Sequence, residues 1–156
     1  KQPKEAFPVC DFGYIDTANK TEVRGEGGKT GIFYLALGDA GLYKLCYDTK
    51  TEEIHVKRLT DTGDACYRMG LGVIGEDRDY LTEEKAIYFC GRLEGEYGFY
   101  RTFDEGKSYE RLNQDNQMYG EINSIDGDKR KFGRFFLATG SRGVLYGEMK
   151  RQSRKI

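Results

Sequence analysis

The chain lacks most of what marks a helical, metal-binding or membrane-spanning protein. It has one histidine and two prolines in 156 residues. Its four cysteines include no C-x-x-C pair, and His55 has no cysteine at ligand spacing, which argues against a structural zinc site. No apolar run approaches the roughly 18 to 20 residues that span a bilayer, so no membrane insertion is expected. No stretch keeps an apolar residue every three or four positions for long enough to form a helix. Net charge is nearly absent, with 25 basic against 26 acidic residues. The chain therefore has no bulk field to draw nucleic acid or an anionic membrane. The first residues, Lys1 to Phe7, are polar and mixed in charge, so no signal peptide is visible.

What is abundant points to strands. There are 21 glycines, 12 tyrosines and 9 phenylalanines. Tyrosine and phenylalanine favour the half-buried pleated surface of a strand, and glycine supplies tight turns. The combination reads as all-β. One pattern then returns three times. Ile32-Phe33-Tyr34-Leu35-Ala36-Leu37 runs through Gly38-Asp39-Ala40-Gly41 into Leu42-Tyr43-Lys44-Leu45. Ile87-Tyr88-Phe89-Cys90 runs through a longer Gly91 to Gly98 segment into Phe99-Tyr100-Arg101-Thr102. Phe135-Phe136-Leu137-Ala138 runs through Thr139 to Gly143 into Val144-Leu145-Tyr146-Gly147. Each copy is a strand, a glycine-bearing turn and a second strand. The copies recur about every 50 residues, the period of a four-stranded β-propeller blade. A β-sandwich also accommodates the strands, but it does not require the repeated hairpin. The spacing predicts two to three antiparallel blades, over about 1–60, 61–112 and 113–149, followed by a basic tail at 150–156. Propellers close with about four to eight blades, so the ring is incomplete within this chain. The rest of a propeller, or another chain, is expected to complete it.

Thr102-Phe103-Asp104-Glu105-Gly106-Lys107-Ser108-Tyr109 fits the pattern S/T-x-D-x-G-x-S/T-aromatic. Asp104 suits the backbone N–H groups of a turn, Gly106 its unusual φ, and Tyr109 an apolar anchor. This set, Thr102, Asp104, Gly106, Ser108 and Tyr109, is expected to be a structural Asp-box. A degenerate copy stands at Tyr47-Asp48-Thr49-Lys50.

At this point a resemblance becomes specific. Ala65 to Glu148 resembles the C-terminal end of family 74 glycoside hydrolases, xyloglucan-cleaving enzymes built from two seven-bladed propellers. Ala65-Cys66-Tyr67-Arg68-Met69-Gly70-Leu71-Gly72 is similar to the family's A-x-A-L-G-F-G run. Gly98-Phe99-Tyr100-Arg101-Thr102 resembles G-x-F/Y-R-S before its Asp-box, and Arg111-Leu112-Asn113-Gln114-Asp115 resembles R-I-N-D-D. Gly133 to Glu148 resembles G-R-V-Y-x-G-T-N-G-R-G-I-x-Y-G-D. The resemblance implies a piece of a β-glucan-cleaving enzyme whose catalytic aspartates lie in other blades, with none in this chain. One departure stands out: Gln117 and Met118 precede Tyr119-Gly120 where the family commonly has a His-Gln pair. The alternative is a non-catalytic propeller domain or subunit that binds glycan or protein.

Sugar rings stack on aromatic faces while polar side chains bond the hydroxyls. Tyr67, Tyr97 and Tyr119 stand near glycines between the predicted strands, with Arg92, Asn116 and Gln117 nearby in sequence. These six are the candidates for a polysaccharide-binding groove. No cofactor or metal is expected. Gly25-Glu26-Gly27-Gly28-Lys29-Thr30 lacks phosphate-loop spacing, and His55 sits in an alternating strand with no nucleophile tied to it. The four cysteines, Cys10, Cys46, Cys66 and Cys90, permit either two disulfides or buried free thiols. With the Asn19-Lys20-Thr21 sequon, they suggest an extracellular or secretory protein.

Overall fold

A computed structural model describes residues 20–24, 30–48, 50–80 and 84–149. Among them there is no helix and there are eleven strands: β1 (Lys20–Arg24), β2 (Thr30–Ala36), β3 (Leu42–Asp48), β4 (Glu53–Arg58), β5 (Ala65–Gly72), β6 (Ala86–Leu93), β7 (Glu96–Thr102), β8 (Glu110–Arg111), β9 (Ile122–Gly127), β10 (Phe135–Thr139) and β11 (Gly143–Gly147). They form three antiparallel sheets, in the orders β1-β2-β3-β4, β5-β6-β7-β8 and β11-β10-β9. Within each sheet every strand pairs with its neighbour in sequence, so each sheet is a meander.

The three expected hairpins are β2–β3, β6–β7 and β10–β11. The second turn is tighter than its sequence suggests. Pairing continues to Leu93↔Glu96, which leaves only Glu94 and Gly95 as the loop. Both have positive φ, 51° and 81°, the condition for a two-residue turn that matches strand twist.

Packing separates a stack of blades from a two-sheet sandwich. Along β6 the side chains alternate between two cores. Ile87 and Phe89 join Ile32, Tyr34, Leu42, Met69, Leu71 and Tyr100. Ala86, Tyr88 and Cys90 join Phe99, Ile122, Ile125 and Leu137. The second sheet is thus buried on both faces, between the first and the third. Where β5 meets β9 the two backbones nearly touch. A Cβ on Gly70 would lie 2.5 Å from the Asp126 Cα and the Ile125 carbonyl, and one on Gly127 would lie 2.6 Å from the Gly72 Cα. Leading strands of adjacent sheets therefore converge on glycine, as blades must toward a common axis. Among the described residues the three sheets do not close a ring.

The turn after β7 is held by its own side chains. Ser108 donates to Asp104 through its N–H (2.9 Å) and its hydroxyl (2.6 Å), and the Thr102 hydroxyl donates to Asp104 at 2.8 Å. Thr102 Oγ1 in turn accepts from the Gly106 N–H at 3.0 Å. Gly106 has φ 84°, and a Cβ there would sit 2.6 Å from the Leu59 carbonyl. The turn also clamps two sheets together. Glu105 accepts from Lys44 and from the Tyr34 hydroxyl, and the Tyr109 hydroxyl donates to the Leu59 carbonyl at 2.7 Å. Asp48 caps the turn after β3, accepting from the N–H groups of Lys50 and Thr51.

Of the two cysteine arrangements, the described residues show free thiols. Cys46, Cys66 and Cys90 are all unbonded to one another, and the latter two are buried, so the two-disulfide arrangement is not formed. Cys10 lies outside the described residues, as do Asn19, the 25–29 segment and the basic tail.

Candidate functional site

In an antiparallel meander, successive connections lie at alternate ends of the sheet. The β6–β7 turn therefore stands at the end of the second sheet opposite the Asp104 turn. There the first sheet contributes its β2–β3 turn. Gly38 donates to the Cys66 carbonyl at 2.8 Å and accepts from the Cys66 N–H at 2.9 Å, which bolts that turn to the start of β5. The next residue in β5, Tyr67, is a bulge, because the register passes from Cys66↔Gly91 directly to Arg68↔Cys90. A bulge re-aims the side chain it carries.

The result is a compact polar cluster. The Tyr67 hydroxyl donates to Asp39 Oδ1 at 3.0 Å. Arg92 Nη2 donates to the same oxygen at 3.4 Å and to the Tyr67 hydroxyl at 3.3 Å. The Tyr97 ring lies 6.4 Å from the Tyr67 ring, tilted by 34°. The aromatic row continues from Tyr97 to Phe99 at 6.5 Å, edge-on, and from Phe99 to Tyr119 at 6.3 Å, nearly parallel. Burial, then the bond to Asp39, holds the Tyr67 phenol above its ordinary pKa. Burial, with a hydrogen bond to Cys90 beneath it, pushes Tyr97 up to about 12. Both phenols therefore stay protonated across the physiological range, their O–H groups given to Asp39 and Cys90.

The structure thus joins Tyr67, Arg92 and Tyr97 directly; Tyr119 is linked to them only through Phe99, which is buried in the core between the second and third sheets. It does not join all six candidates. Gln117 bonds back within its own loop, its Oε1 accepting from the Gln114 N–H at 3.0 Å. Asn116 is exposed in that loop, outside the cluster. The sequence also misplaces two tyrosines. Tyr67 and Tyr97 lie within β5 and β7 rather than in projecting loops, because pairing in the second sheet extends to its turns. Three contributors escape a sequence reading. Asp39 reaches the cluster across 28 residues to Tyr67 and 53 to Arg92. Asn113 Oδ1 fixes the Phe99 N–H at 2.8 Å, and Arg111 holds the Tyr97 carbonyl at 3.1 Å. Only the Gly-Asp-Ala-Gly turn at 38–41 offered a local signal, and it signals a turn.

Chemically, the cluster presents the Arg92 guanidinium, one exposed carboxylate and the half-buried rings of Tyr67 and Tyr97, the former packed against the core between the second and third sheets. Glycoside hydrolysis needs two carboxyl groups flanking one bond, and the cluster offers Asp39 alone. Among the described residues no group of three or more His, Cys, Asp or Glu side chains could hold a metal ion. No helix among them is long and apolar enough to cross a membrane.

Stacked antiparallel sheets converging on their leading strands define a set of β-propeller blades. The relatives give that class a family. The chain is 32% identical over 128 residues to a xyloglucanase of Acetivibrio thermocellus, covering 81% of this chain and 14% of that protein. It is 31% identical over 125 residues to a probable oligoxyloglucan-reducing end-specific xyloglucanase of Neosartorya fischeri, covering 78% of this chain and 14% of that one. Among solved structures it superposes on the GH74 xyloglucanase from Xanthomonas campestris with a TM-score of 0.62 at 26% identity, over 84% of this chain and 17% of that one. The GH74 enzyme of Niastella koreensis shares the fold, with a TM-score of 0.61. No protein-family model matches the chain. The chain is accordingly homologous to a stretch of the family 74 xyloglucanases, and it spans 14% of the length of the relatives quoted.

Proposed function

We propose that this chain is a C-terminal blade segment of a propeller glycosidase that cuts a β-glucan such as xyloglucan. The observation that carries this is the identity of nearly one third to xyloglucanases over four fifths of the chain. In this reading the catalytic aspartates stand in other blades. The Tyr67–Arg92–Tyr97 cluster, extended by Tyr119, binds the polysaccharide at one end of the blades, while Asn116 and Gln117 form a neighbouring loop. Blades run over about 1–60, 61–112 and 113–149, and Thr102, Asp104, Gly106, Ser108 and Tyr109 form an Asp-box that fastens the second blade to the first. The remaining blades cover the outer face of the third sheet, where Phe136, Val144 and Tyr146 are exposed. Such an enzyme works outside the cell, where its polymer is.

A second reading, a glycan-binding propeller without catalysis, is favoured by one observation, the replacement of the His-Gln pair by Gln117-Met118. Reducing-sugar release from xyloglucan by the complete polypeptide separates the two. Hydrolysis supports the first reading, and binding without hydrolysis supports the second. If xyloglucan is neither bound nor cut, both readings fail. Tyr97→Ala should weaken binding by about tenfold, the effect of removing an aromatic stacking contact of roughly 1–1.5 kcal/mol.

A further inference from the structure

The cluster at the β2–β3, β5 and β6–β7 junction includes one residue, Asp39, that is not among the tyrosines and Arg92 assigned to polysaccharide binding. Asp39 is 83% exposed, so it contributes almost nothing to burial. A solvated ion pair such as Arg92–Asp39 at 3.4 Å contributes little to stability. Yet its position is fixed three times over. The Gly38–Cys66 bridge anchors its turn, the bulge at Tyr67 aims a phenol at it, and Arg92 reaches it across the sheet boundary. Arrangement of that kind around a solvent-facing carboxylate is what a ligand contact requires.

We propose that Asp39 makes this cluster a site for a neutral sugar unit bearing vicinal hydroxyls, and that it excludes uronic acids and other anionic glycans. The inference rests on the glycan-binding reading and adds the class of sugar to it. A pyranose presents a C–H face to the tilted Tyr67 and Tyr97 rings and hydroxyl donors at its edge. Asp39 accepts from those donors, and bonds to an ionised acceptor are the strong ones. Without Asp39, Arg92 would stand as a solvent-facing cation beside the aromatic shelf and would attract acidic sugars. With Asp39 on it, the local charge is balanced, and a ligand carboxylate placed there meets a like charge at close range.

The test is calorimetric titration of the complete polypeptide with two probes of matched length, a neutral xyloglucan oligosaccharide and an oligogalacturonate. The unsubstituted protein should bind the neutral probe at least about tenfold more tightly, and Asp39→Asn should reduce that ratio about tenfold, the scale of a hydrogen bond to a charged group. Glu53→Gln removes an exposed carboxylate of the same sheet outside the cluster and should leave the ratio unchanged. Because Asp39 is exposed, the unfolding midpoint should not move. Asp39→Ser serves as a second variant if Asn disturbs the turn. An unchanged ratio in the Asp39 variants overturns the inference while leaving the glycan-binding reading intact. An equal change in Glu53→Gln would show a general effect of net charge and also overturns it. Failure of the unsubstituted protein to bind the neutral probe overturns both.

Discussion

Asp104→Ala removes one carboxylate and, with it, three hydrogen bonds of 2.6 to 2.9 Å within the turn after β7. Two routes bear on the magnitude. Each such bond contributes about 0.5–1.5 kcal/mol net, and the exposure of Ser108 places these toward the lower end. Independently, the two bonds from Ser108 hold the Asp104 carboxyl at about 2, against an ordinary 3.8. At roughly 1.4 kcal/mol per unit this sets a ceiling near 2.5 kcal/mol, which solvent screening of a part-exposed turn lowers. The bond count thus gives about 1–2 kcal/mol, which lies under that ceiling. The sign follows from the direction of the shift. A depressed carboxyl contributes fully above its unfolded value and loses that contribution as pH falls from about 4 to about 2. Thermal unfolding at a series of pH values is the assay. At pH 7 the variant should melt roughly 2–8 °C below the parent, and the gap should close toward pH 2. Asp104→Asn keeps an acceptor oxygen and should fall between them. Equal midpoints at pH 7, or a gap that persists undiminished at pH 2, would refute the staple.

Two further outcomes follow from the packing. Gly70→Ala drives a methyl into the β9 backbone and should destabilise by about 1–3 kcal/mol, read as a lower denaturant midpoint; an unchanged midpoint would mean that β5 and β9 do not approach so closely. Burial pushes the Cys90 thiol up to about 11 and raises Cys66 well above its ordinary value. In a Cys10→Ser background, half-buried Cys46 should therefore react with an aromatic disulfide reagent at pH 8 well before Cys66 and Cys90, which should react only on unfolding. Equal rates in the native state would contradict the two-sided burial of the second sheet.

The hairpins were legible because their information is local. Alternating apolar residues on either side of glycine turns fix β2–β3, β6–β7 and β10–β11 whatever surrounds them. Of the edge strands, β4 (Glu53–Arg58) was legible from the alternation of Ile54 and Val56 around His55, although it is largely exposed, whereas β8, only two residues long, carries no such signal. The Asp104 turn was readable as a turn, but its hold on Tyr34, Lys44 and Leu59 was not. Those partners lie 50 to 71 residues away and are chosen by how the sheets stack. The site divides in the same way. Tyr67, Arg92 and Tyr97 could be picked by residue type, while Asp39 could be found only once the first sheet was placed against the second.

The central claim is that these sheets are an open arc of a larger propeller, and sedimentation velocity of the isolated chain tests it most directly. The third sheet turns Phe136 and Tyr146 outward as a cross-strand pair, with Val144 on the same face. Apolar surface left in water costs about 25 cal/mol per Å², so an uncovered blade face of a few hundred Å² forfeits several kcal/mol, comparable to the stability of a small domain. The isolated chain should therefore sediment as aggregates or as a stable associate rather than as a monomer. A single monomeric boundary, with a cooperative unfolding transition independent of protein concentration, would show that the blades close on themselves and would contradict the open arc.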